Sequence, residues 1–212
     1  MLGSVPGVQI TPLSIDGAWI FQPRQHRDDR GTFLEWFKSD RFAEVVGHPL
    51  EVAQSNISTS VAGAVRGIHY ADVPPGQAKY VTCVAGAVMD AVVDLRTGSP
   101  TFGQHELVRL DDQNRAAVYL SEGLGHGYMA LTDHAAFLYL CSTPYAPERE
   151  HGIDPADPDL AVTWPNTQAD GRALLPLLSD KDRAAPRLRR AEAEGLLPSY
   201  EHTVVYRHSR ID

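Results

Sequence analysis

The stretch KYVTCVAGAVMDAVVDL, residues 79–95, decides the fold class of this chain. It holds two valine-rich runs, Lys79 to Val84 and Ala87 to Leu95, with Ala85-Gly86 between them as a tight turn. Because β-branched residues favour extended backbone, the stretch predicts two adjacent β-strands. Similar runs follow at residues 102–110, 116–120, 126–131 and 135–141. Many short strands separated by turns predict an all-β sandwich or jelly roll, with its core at about residues 51–142.

Few helices are predicted around these strands. Residues 40–46 begin with Asp40, which we interpret as an N-cap, and residues 185–196 have helical composition with a proline near the start and a glycine at the end. Ser179 is a candidate N-cap for another helix. The stretch 144–178 is rich in proline and aperiodic, so we expect it to wrap the β core as loops. Residues 1–212 are therefore expected to form one domain, with residues 143–212 as wrapping loops and helix.

Composition and charge exclude several classes of function. With a net charge of −8, the protein is not expected to bind nucleic acid through its overall field. The sequence contains no run of about 18 apolar residues, so we expect no membrane span. Met1 to Thr11 lacks the features of an export signal. We therefore expect a cytoplasmic location, with Cys83 and Cys141 as buried free thiols rather than a disulfide.

Candidate chemistry starts at Arg66-Gly67-Ile68-His69-Tyr70 and continues to Lys79 beyond a Pro74-Pro75-Gly76 turn. A strand–turn–strand arrangement would let His69 and Lys79 reach one cavity. A neutral imidazole can take a proton and an ammonium can hold a developing oxyanion, a pairing that suits proton abstraction next to a carbonyl. The alternative is a surface histidine and a solvated lysine.

Other polar positions allow a functional and a structural interpretation. Gln54, Asn56 and Ser58 occupy alternate positions, so in a strand they share one face. That face either lines a ligand cavity or is the exposed face of an edge strand. His126 lies in a glycine-rich turn that permits close approach of a ligand. Tyr139 is either a core tyrosine or a site phenol.

Asp182 and the region around Arg30 also allow both a structural and a functional interpretation. Asp182 is either a first-turn carboxylate favoured by the helix dipole or the carboxylate that orients a catalytic histidine. The cluster around Arg30, Phe33 and Glu35 could be only a charged turn. No two histidines are separated by one residue, so we expect no metal centre.

Taken together, the chain resembles the dTDP-4-dehydrorhamnose 3,5-epimerase family from Asp28 to about Pro186. The resemblance depends on nine motifs in the family's order: DDRGTFLEWF, QSNISTS, VRGIHY, PPGQAKYV, VDLRTGSPTFG, YLSEGLGHGYMALTD, FLYLCSTPYAPERE, DPDLAVTWP and LSDKDRAAP. It implies a cupin-like jelly roll that works without metal or organic cofactor. It also implies a homodimer formed through swapped N-terminal strands.

The resemblance assigns roles residue by residue. The base is His69 of RGIH, its partner carboxylate is Asp182, Lys79 stabilises the enolate, and Tyr139 is the general acid. Contacts to the nucleotide sugar map onto Arg30, Phe33, Glu35, Gln54, Asn56, Arg66 and His126. The chain departs from the family's pattern at His26, Ile57 and Pro144-Tyr145.

The expected function is cofactor-independent epimerisation of dTDP-4-keto-6-deoxy-D-glucose at C3 and C5. The wording of several motifs is similar to the branch that makes deoxysugars for natural products. Three alternatives remain: an epimerase acting at C3 only, a sugar-nucleotide binding protein without catalysis, and a metal-dependent cupin oxygenase. The complete set of four chemical residues argues against the second, and the missing His-x-His pair argues against the third.

Overall fold

The structure, a computed structural model, describes residues 7–209. Residues 1–6, the first part of the stretch predicted to lack an export signal, lie outside the described residues. The strands are β1 (Val8–Pro12), β2 (Ala18–Pro23), β3 (His26–Asp28), β4 (Gly31–Phe33), β5 (Gln54–Ser60), β6 (Val65–Ala71), β7 (Lys79–Ala85), β8 (Ala87–Asp94), β9 (His105–Asp111), β10 (Ala117–Leu120), β11 (Leu124–Ala130), β12 (Ala135–Cys141) and β13 (Glu150–Gly152). The helices are α1 (Ser39–Val46), α2 (Asp180–Arg183), α3 (Leu188–Ala193) and α4 (Tyr200–His208).

The strands form two antiparallel sheets and a separate hairpin. The six-stranded sheet has the order β1-β2-β10-β7-β12-β5, and the five-stranded sheet has the order β13-β6-β11-β8-β9. The hairpin β3–β4 belongs to neither sheet. This arrangement confirms the jelly-roll prediction.

The core lies between the two sheets. Val81, Val118 and Phe137 of the six-stranded sheet pack with Val92 and Ala130 of the five-stranded sheet, and all five side chains are fully buried. Burial of a valine or phenylalanine side chain stabilises a fold by roughly 1.5–3 kcal/mol. The two sheets are therefore held face to face by apolar contact.

Each sheet is also covered on its outer face. Phe42 of α1 packs on Phe21 and Tyr80 of the six-stranded sheet. The segment after residue 153 covers the five-stranded sheet through Leu160 and Leu188. Burial on both faces explains why strands such as β8 are mostly apolar on both faces rather than alternating between apolar and polar residues.

The predicted strands between residues 79 and 141 are confirmed, but the residue pattern did not predict β1 and β2. The six-stranded sheet includes β1 and β2, so the core begins before residue 51. Both strands are short and mix polar with apolar residues next to prolines, which leaves only a weak periodic signal. The stretch 144–178 forms wrapping segments as expected, apart from the short edge strand β13.

The helix predictions need two corrections. Asp40 is not an N-cap: α1 begins at Ser39, its N-cap is Lys38, and Asp40 lies in the first turn. The predicted helix over residues 185–196 is shorter in the structure, where α3 spans Leu188–Ala193. Pro186 disfavours helical conformation at Ala185, and Gly195 adopts a φ of +70° just beyond the other end.

The sequence prediction also missed α4 beyond that helix. It contains the β-branched run Thr203-Val204-Val205, which has low helix propensity, and it is capped by Ser199. None of the helices within residues 7–209 combines the length and hydrophobicity needed to span a bilayer.

Candidate active site

A cavity of about 850 Å³ lies between the two sheets. Its walls come from β5, β7 and β12 on one side and β6, β11 and β13 on the other, with α2 adding residues near the C-terminal end of the chain. It is lined by most of the predicted site residues: Gln54, Asn56, Arg66, His69, Lys79, His126, Tyr139 and Asp182. Residues far apart in sequence therefore converge on one polar pocket between apolar sheets.

His69 and Asp182 form a hydrogen-bonded pair in this cavity. His69 Nε2 lies 2.6 Å from Asp182 Oδ1, and the Asp182 side chain is only 7% exposed. Burial by itself raises the pKa of Asp182, but the hydrogen bonds and charges of His69, Ser179 and Lys181 outweigh it and hold the pKa below its usual value. An ionised carboxylate only accepts hydrogen bonds, so Nε2 is the donor and Nδ1 is left as the basic nitrogen.

Close packing of two strands sets the position of His69. Gly67 on β6 has a φ of +123°, and a Cβ there would come 2.5 Å from Gly127 Cα on β11. Only glycine fits both the backbone angle and this approach. The close contact places His69 directly opposite His126 in the register of β6 and β11.

Tyr139 and Lys79 lie on the opposite wall. Tyr139 pairs with Asn56 across β12 and β5, and Cys141 pairs with Lys79 across β12 and β7, so these side chains share one face of the six-stranded sheet. The predicted strand–turn–strand arrangement holds, but β6 and β7 belong to different sheets. The turn at residues 74–76 therefore carries the chain from the His69 wall to the Lys79 wall.

The surroundings of this wall tune both groups. Burial raises the pKa of the Tyr139 phenol, and Cys141 and Tyr128 add to the effect, so the phenol keeps its proton at neutral pH. Burial lowers the pKa of the Lys79 ammonium, while Cys141, Glu150 and Asp90 act in the opposite direction. A proton acceptor on one sheet thus faces proton donors on the other.

A second histidine–carboxylate pair lies beside the first. His126 Nε2 is 2.7 Å from Oδ1 of Asp90, and Asp90 is completely buried. Sequence reasoning missed Asp90, because it sits inside an apolar strand and its partner is 36 residues away. It also missed Tyr128, whose hydroxyl bridges to Ser58 at 2.8 Å in the other sheet. A charged residue within an otherwise apolar strand was the available signal for Asp90.

The predicted substrate contacts divide into two groups. In the cavity, Gln54 Nε2 donates to Asn56 Oδ1 at 2.9 Å, and the backbone N–H of Tyr145 donates to Gln54 Oε1 at 2.8 Å. The described residues that line the cavity do not include Arg30, Phe33 or Glu35. Those three lie on or next to the β3–β4 hairpin, where Phe33 is 68% exposed.

The three departures from the family's pattern lie in different places. Ile57 is 69% exposed and points away from the cavity, opposite to Asn56. His26 pairs with Phe33 in the hairpin. Only the Pro144-Tyr145 segment meets the cavity, through Tyr145. Within the part of the chain that the structure describes, no group of three His, Cys, Asp or Glu side chains is arranged to hold a metal ion.

The fold and the cavity together define a jelly-roll enzyme with a histidine–aspartate pair facing a tyrosine and a lysine. The sequence profile of the dTDP-4-dehydrorhamnose 3,5-epimerase family matches residues 12–190. The chain belongs to this family, and the resemblance drawn from its motifs is confirmed.

Individual relatives are similar over nearly their whole length. The dTDP-4-dehydrorhamnose 3-epimerase of Streptomyces niveus is 55% identical over 91% of this chain and 90% of its own. The dTDP-4-dehydrorhamnose 3,5-epimerase of Mycobacterium tuberculosis H37Rv is 53% identical over 90% of this chain and 93% of its own. A solved structure of ChmJ, a 3′-monoepimerase from Streptomyces bikiniensis in complex with dTDP-quinovose, superposes with a TM-score of 0.89 at 50% identity. It covers 94% of this chain and 98% of its own.

Proposed function

We propose that this protein epimerises dTDP-4-keto-6-deoxy-D-glucose at C3 and C5, without a cofactor, in deoxysugar biosynthesis. The observation that carries the proposal is the placement of His69 and Tyr139 on opposite sheets of one cavity. Inversion of a carbon centre needs a base on one face and an acid on the other, because a single residue would restore the original configuration. The family membership and the two-walled cavity agree on this chemistry.

The chemistry follows from a ketone at C4 of the substrate, which acidifies the protons on C3 and C5. His69 Nδ1 removes one of them, and the electron pair moves onto the ketone oxygen as an enolate. The Lys79 ammonium stabilises this oxyanion. Tyr139 donates its phenolic proton to the opposite face of the carbon. Asp182 holds the imidazole tautomer and offsets the charge on protonated His69.

The nucleotide end of the substrate does not react, and we expect it to provide much of the binding energy. That energy positions the sugar against the base and the acid. Gln54, Asn56, Arg66 and His126 are the candidate contacts within the cavity. We assign Arg30, Phe33 and Glu35 to the same task in a second copy of the chain.

This assignment makes the working enzyme a homodimer formed through exchange of N-terminal strands. Two observations support it: the β3–β4 hairpin pairs with neither sheet, and Phe33 exposes two thirds of its surface. A large exposed aromatic is typical of an interaction surface. We also propose that the chain forms a single domain and lies in the cytoplasm. Its two cysteines, Cys83 and Cys141, are buried free thiols, which supports that location.

A C3-only epimerase is the second candidate function. The relatives include both activities, since a 3-epimerase is 55% identical to this chain and a 3,5-epimerase is 53% identical. Both activities use the same base and acid, and they differ in whether the sugar ring can reorient to present C5 to His69.

Incubation with dTDP-4-keto-6-deoxy-D-glucose in D2O tests the proposal. Deuterium at both carbons, with an L-configured product trapped by a ketoreductase, supports the 3,5-epimerase. Deuterium at C3 alone supports the second candidate. No exchange at either carbon, despite nucleotide binding, would overturn both.

Tyr139→Phe tests the role of the acid in the same experiment. The variant lacks the phenolic proton but keeps the ring, so we expect epimerisation to fall more steeply than deuterium exchange. An equal fall in both rates would show that Tyr139 does not deliver the proton.

A further inference from the structure

The hydroxyl of Ser179 makes two hydrogen bonds to the same residue, Asp182. Ser179 Oγ accepts the backbone N–H of Asp182 at 3.1 Å and donates its own proton to Asp182 Oδ2 at 2.8 Å. The other carboxylate oxygen, Oδ1, accepts from His69 Nε2 at 2.6 Å. Ser179, Asp182 and His69 therefore form a continuous chain of hydrogen bonds that ends at the edge of the cavity.

The element that carries Asp182 is too short to hold a side chain by itself. Helix α2 has four residues, and Ser179 is its N-cap in an extended conformation. A side chain on one helical turn keeps its rotamer only when something fixes it, and Ser179 fixes Asp182 at both the backbone and the carboxylate. With Oδ2 bound by Ser179, Oδ1 is directed at His69.

We propose that Ser179 is a positioning residue of the epimerase: its hydroxyl holds the Asp182 carboxylate so that Nε2 of His69 stays protonated and Nδ1 stays free. The inference extends the proposed function, since it assigns a role to the residue behind the proposed base. Ser179 itself lines the cavity beside Asp182, but the role assigned to its hydroxyl is exerted through Asp182 and needs no contact with the substrate.

Helix capping and proton donation can be separated by the choice of side chain. An N-cap needs only an acceptor, and aspartate provides one as well as serine does, whereas glycine is itself a favoured N-cap residue and replaces serine with little loss of helix stability. Neither ionised aspartate nor glycine can donate a proton to Asp182. Asparagine can do both. Ser179→Gly therefore keeps the helix start and removes only the donor. Ser179→Asp keeps the cap and removes the donor, but it also places a second carboxylate beside Asp182, so Ser179→Gly is the cleaner variant. Ser179→Asn restores a donor.

The matched control is Ser199→Ala. Ser199 is the N-cap of α4, and its Oγ accepts the backbone N–H of His202 at 3.4 Å. Ser199 is not among the described residues that line the cavity. This variant loses a cap without touching the Asp182 chain, so it reports what capping alone does to the enzyme.

The experiment measures kcat, KM, the melting temperature and the ¹⁵N NMR shifts of the His69 ring. We expect Ser179→Asp and Ser179→Gly to lose roughly ten- to a hundredfold in kcat, the range of a hydrogen bond to a charged group. KM should change little, because the nucleotide end dominates binding. The ring shifts should change from one tautomer to a mixture. Ser179→Asn should recover most of kcat, and Ser199→Ala should lower only the melting temperature.

Several outcomes would overturn the inference. Wild-type kcat in Ser179→Gly and Ser179→Asp is one, and an unchanged His69 tautomer in both variants is another. Failure of the wild-type protein to turn over the nucleotide sugar would instead contradict the proposed function. The ring spectra need no turnover, so they decide the role of Ser179 even then.

Discussion

The cavity contains two histidine–aspartate pairs with nearly the same geometry and opposite surroundings. The distance from Nε2 to Oδ1 is 2.6 Å in His69–Asp182 and 2.7 Å in His126–Asp90. The His69 side chain is 33% exposed, whereas His126 is 8% exposed and Asp90 is fully buried. The hydrogen-bond distance therefore does not tell a base from a structural pair. What differs between the two pairs is exposure, since the imidazole of His69 is partly open and that of His126 is buried.

The two pairs also differ in the elements that hold them. His126 and Asp90 lie on adjacent central strands, β11 and β8, and both backbones are fixed by the ladder. Asp182 reaches His69 from a short helix 113 residues further along the chain. His126 is also a candidate substrate contact, but its burial leads us to expect a larger effect on stability from the buried pair than from the open pair. We expect the open pair to act mainly on turnover, and the following substitutions test that division.

The largest expected effect is the loss of stability in His126→Ala. Asp90 Oδ2 already has no hydrogen-bond partner among the described residues, so this change leaves both oxygens of a buried side chain unpaired. Breaking a buried pair in this way lowers the free energy of unfolding by roughly 3–5 kcal/mol. Urea denaturation would measure it. The control is Asp90→Asn in the same background, which removes the charge and should recover part of the loss; a stability change below about 1 kcal/mol in His126→Ala would contradict this interpretation.

His69→Ala should lower turnover rather than stability, in contrast to His126→Ala. We expect turnover to fall at least about a hundredfold, the usual contribution of a general base, with nucleotide binding nearly intact. Because the side chain is partly exposed, its removal should change stability far less than His126→Ala does. Initial rates and dTDP titration would measure both effects. Near-normal turnover would rule out His69 as the base.

The pH dependence of stability should sharpen the contrast through Asp182. Its pKa is lower in the folded protein than the value of about 3.9 expected in the unfolded chain. The unfolded state therefore binds more protons in this range, and the pair contributes stability at neutral pH that is lost from about pH 5 downward, as pH falls through the folded pKa. Asp182→Asn should flatten this part of the curve of unfolding free energy against pH. A curve identical to that of the wild type would show that Asp182 is not perturbed by folding.

The sequence predicts the strands better than it predicts the contacts within the site. The strands from residue 79 to 141 were predictable, because valine-rich runs and turn residues are local signals, and the shared face of Gln54, Asn56 and Ser58 follows from alternation. The His69–Asp182 pair came from resemblance to a family, since no spacing rule joins residues 113 positions apart. The pairing of Asp90 with His126 and the second hydrogen bond of Ser179 were not predicted. Both depend on tertiary distances rather than on residue type.

Arg30, Phe33 and Glu35 illustrate a different limit. Their motif predicted nucleotide contacts, yet the cavity of a single chain is lined without them. A motif states which chemistry a residue is suited to, but it does not state which copy of the chain receives it. The β3–β4 hairpin lies outside both sheets and exposes Phe33, and these two observations are the basis for proposing that a second copy of the chain receives these residues.

The smallest expected effect belongs to a third pair, His151–Asp72, which lies outside the cavity lining. Its Nε2 to Oδ1 distance is again 2.7 Å, but the side chains are 29% and 47% exposed. Solvent screening limits such a pair to about 0.2–1 kcal/mol, so His151→Ala should lower the free energy of unfolding by no more than that. Turnover should match the wild type, since His151 and Glu150 alternate on β13 and only Glu150 faces the cavity. A tenfold loss of turnover would mean that exposure and cavity access do not separate the three pairs, and the assignment of His69 would then depend on its family motif alone.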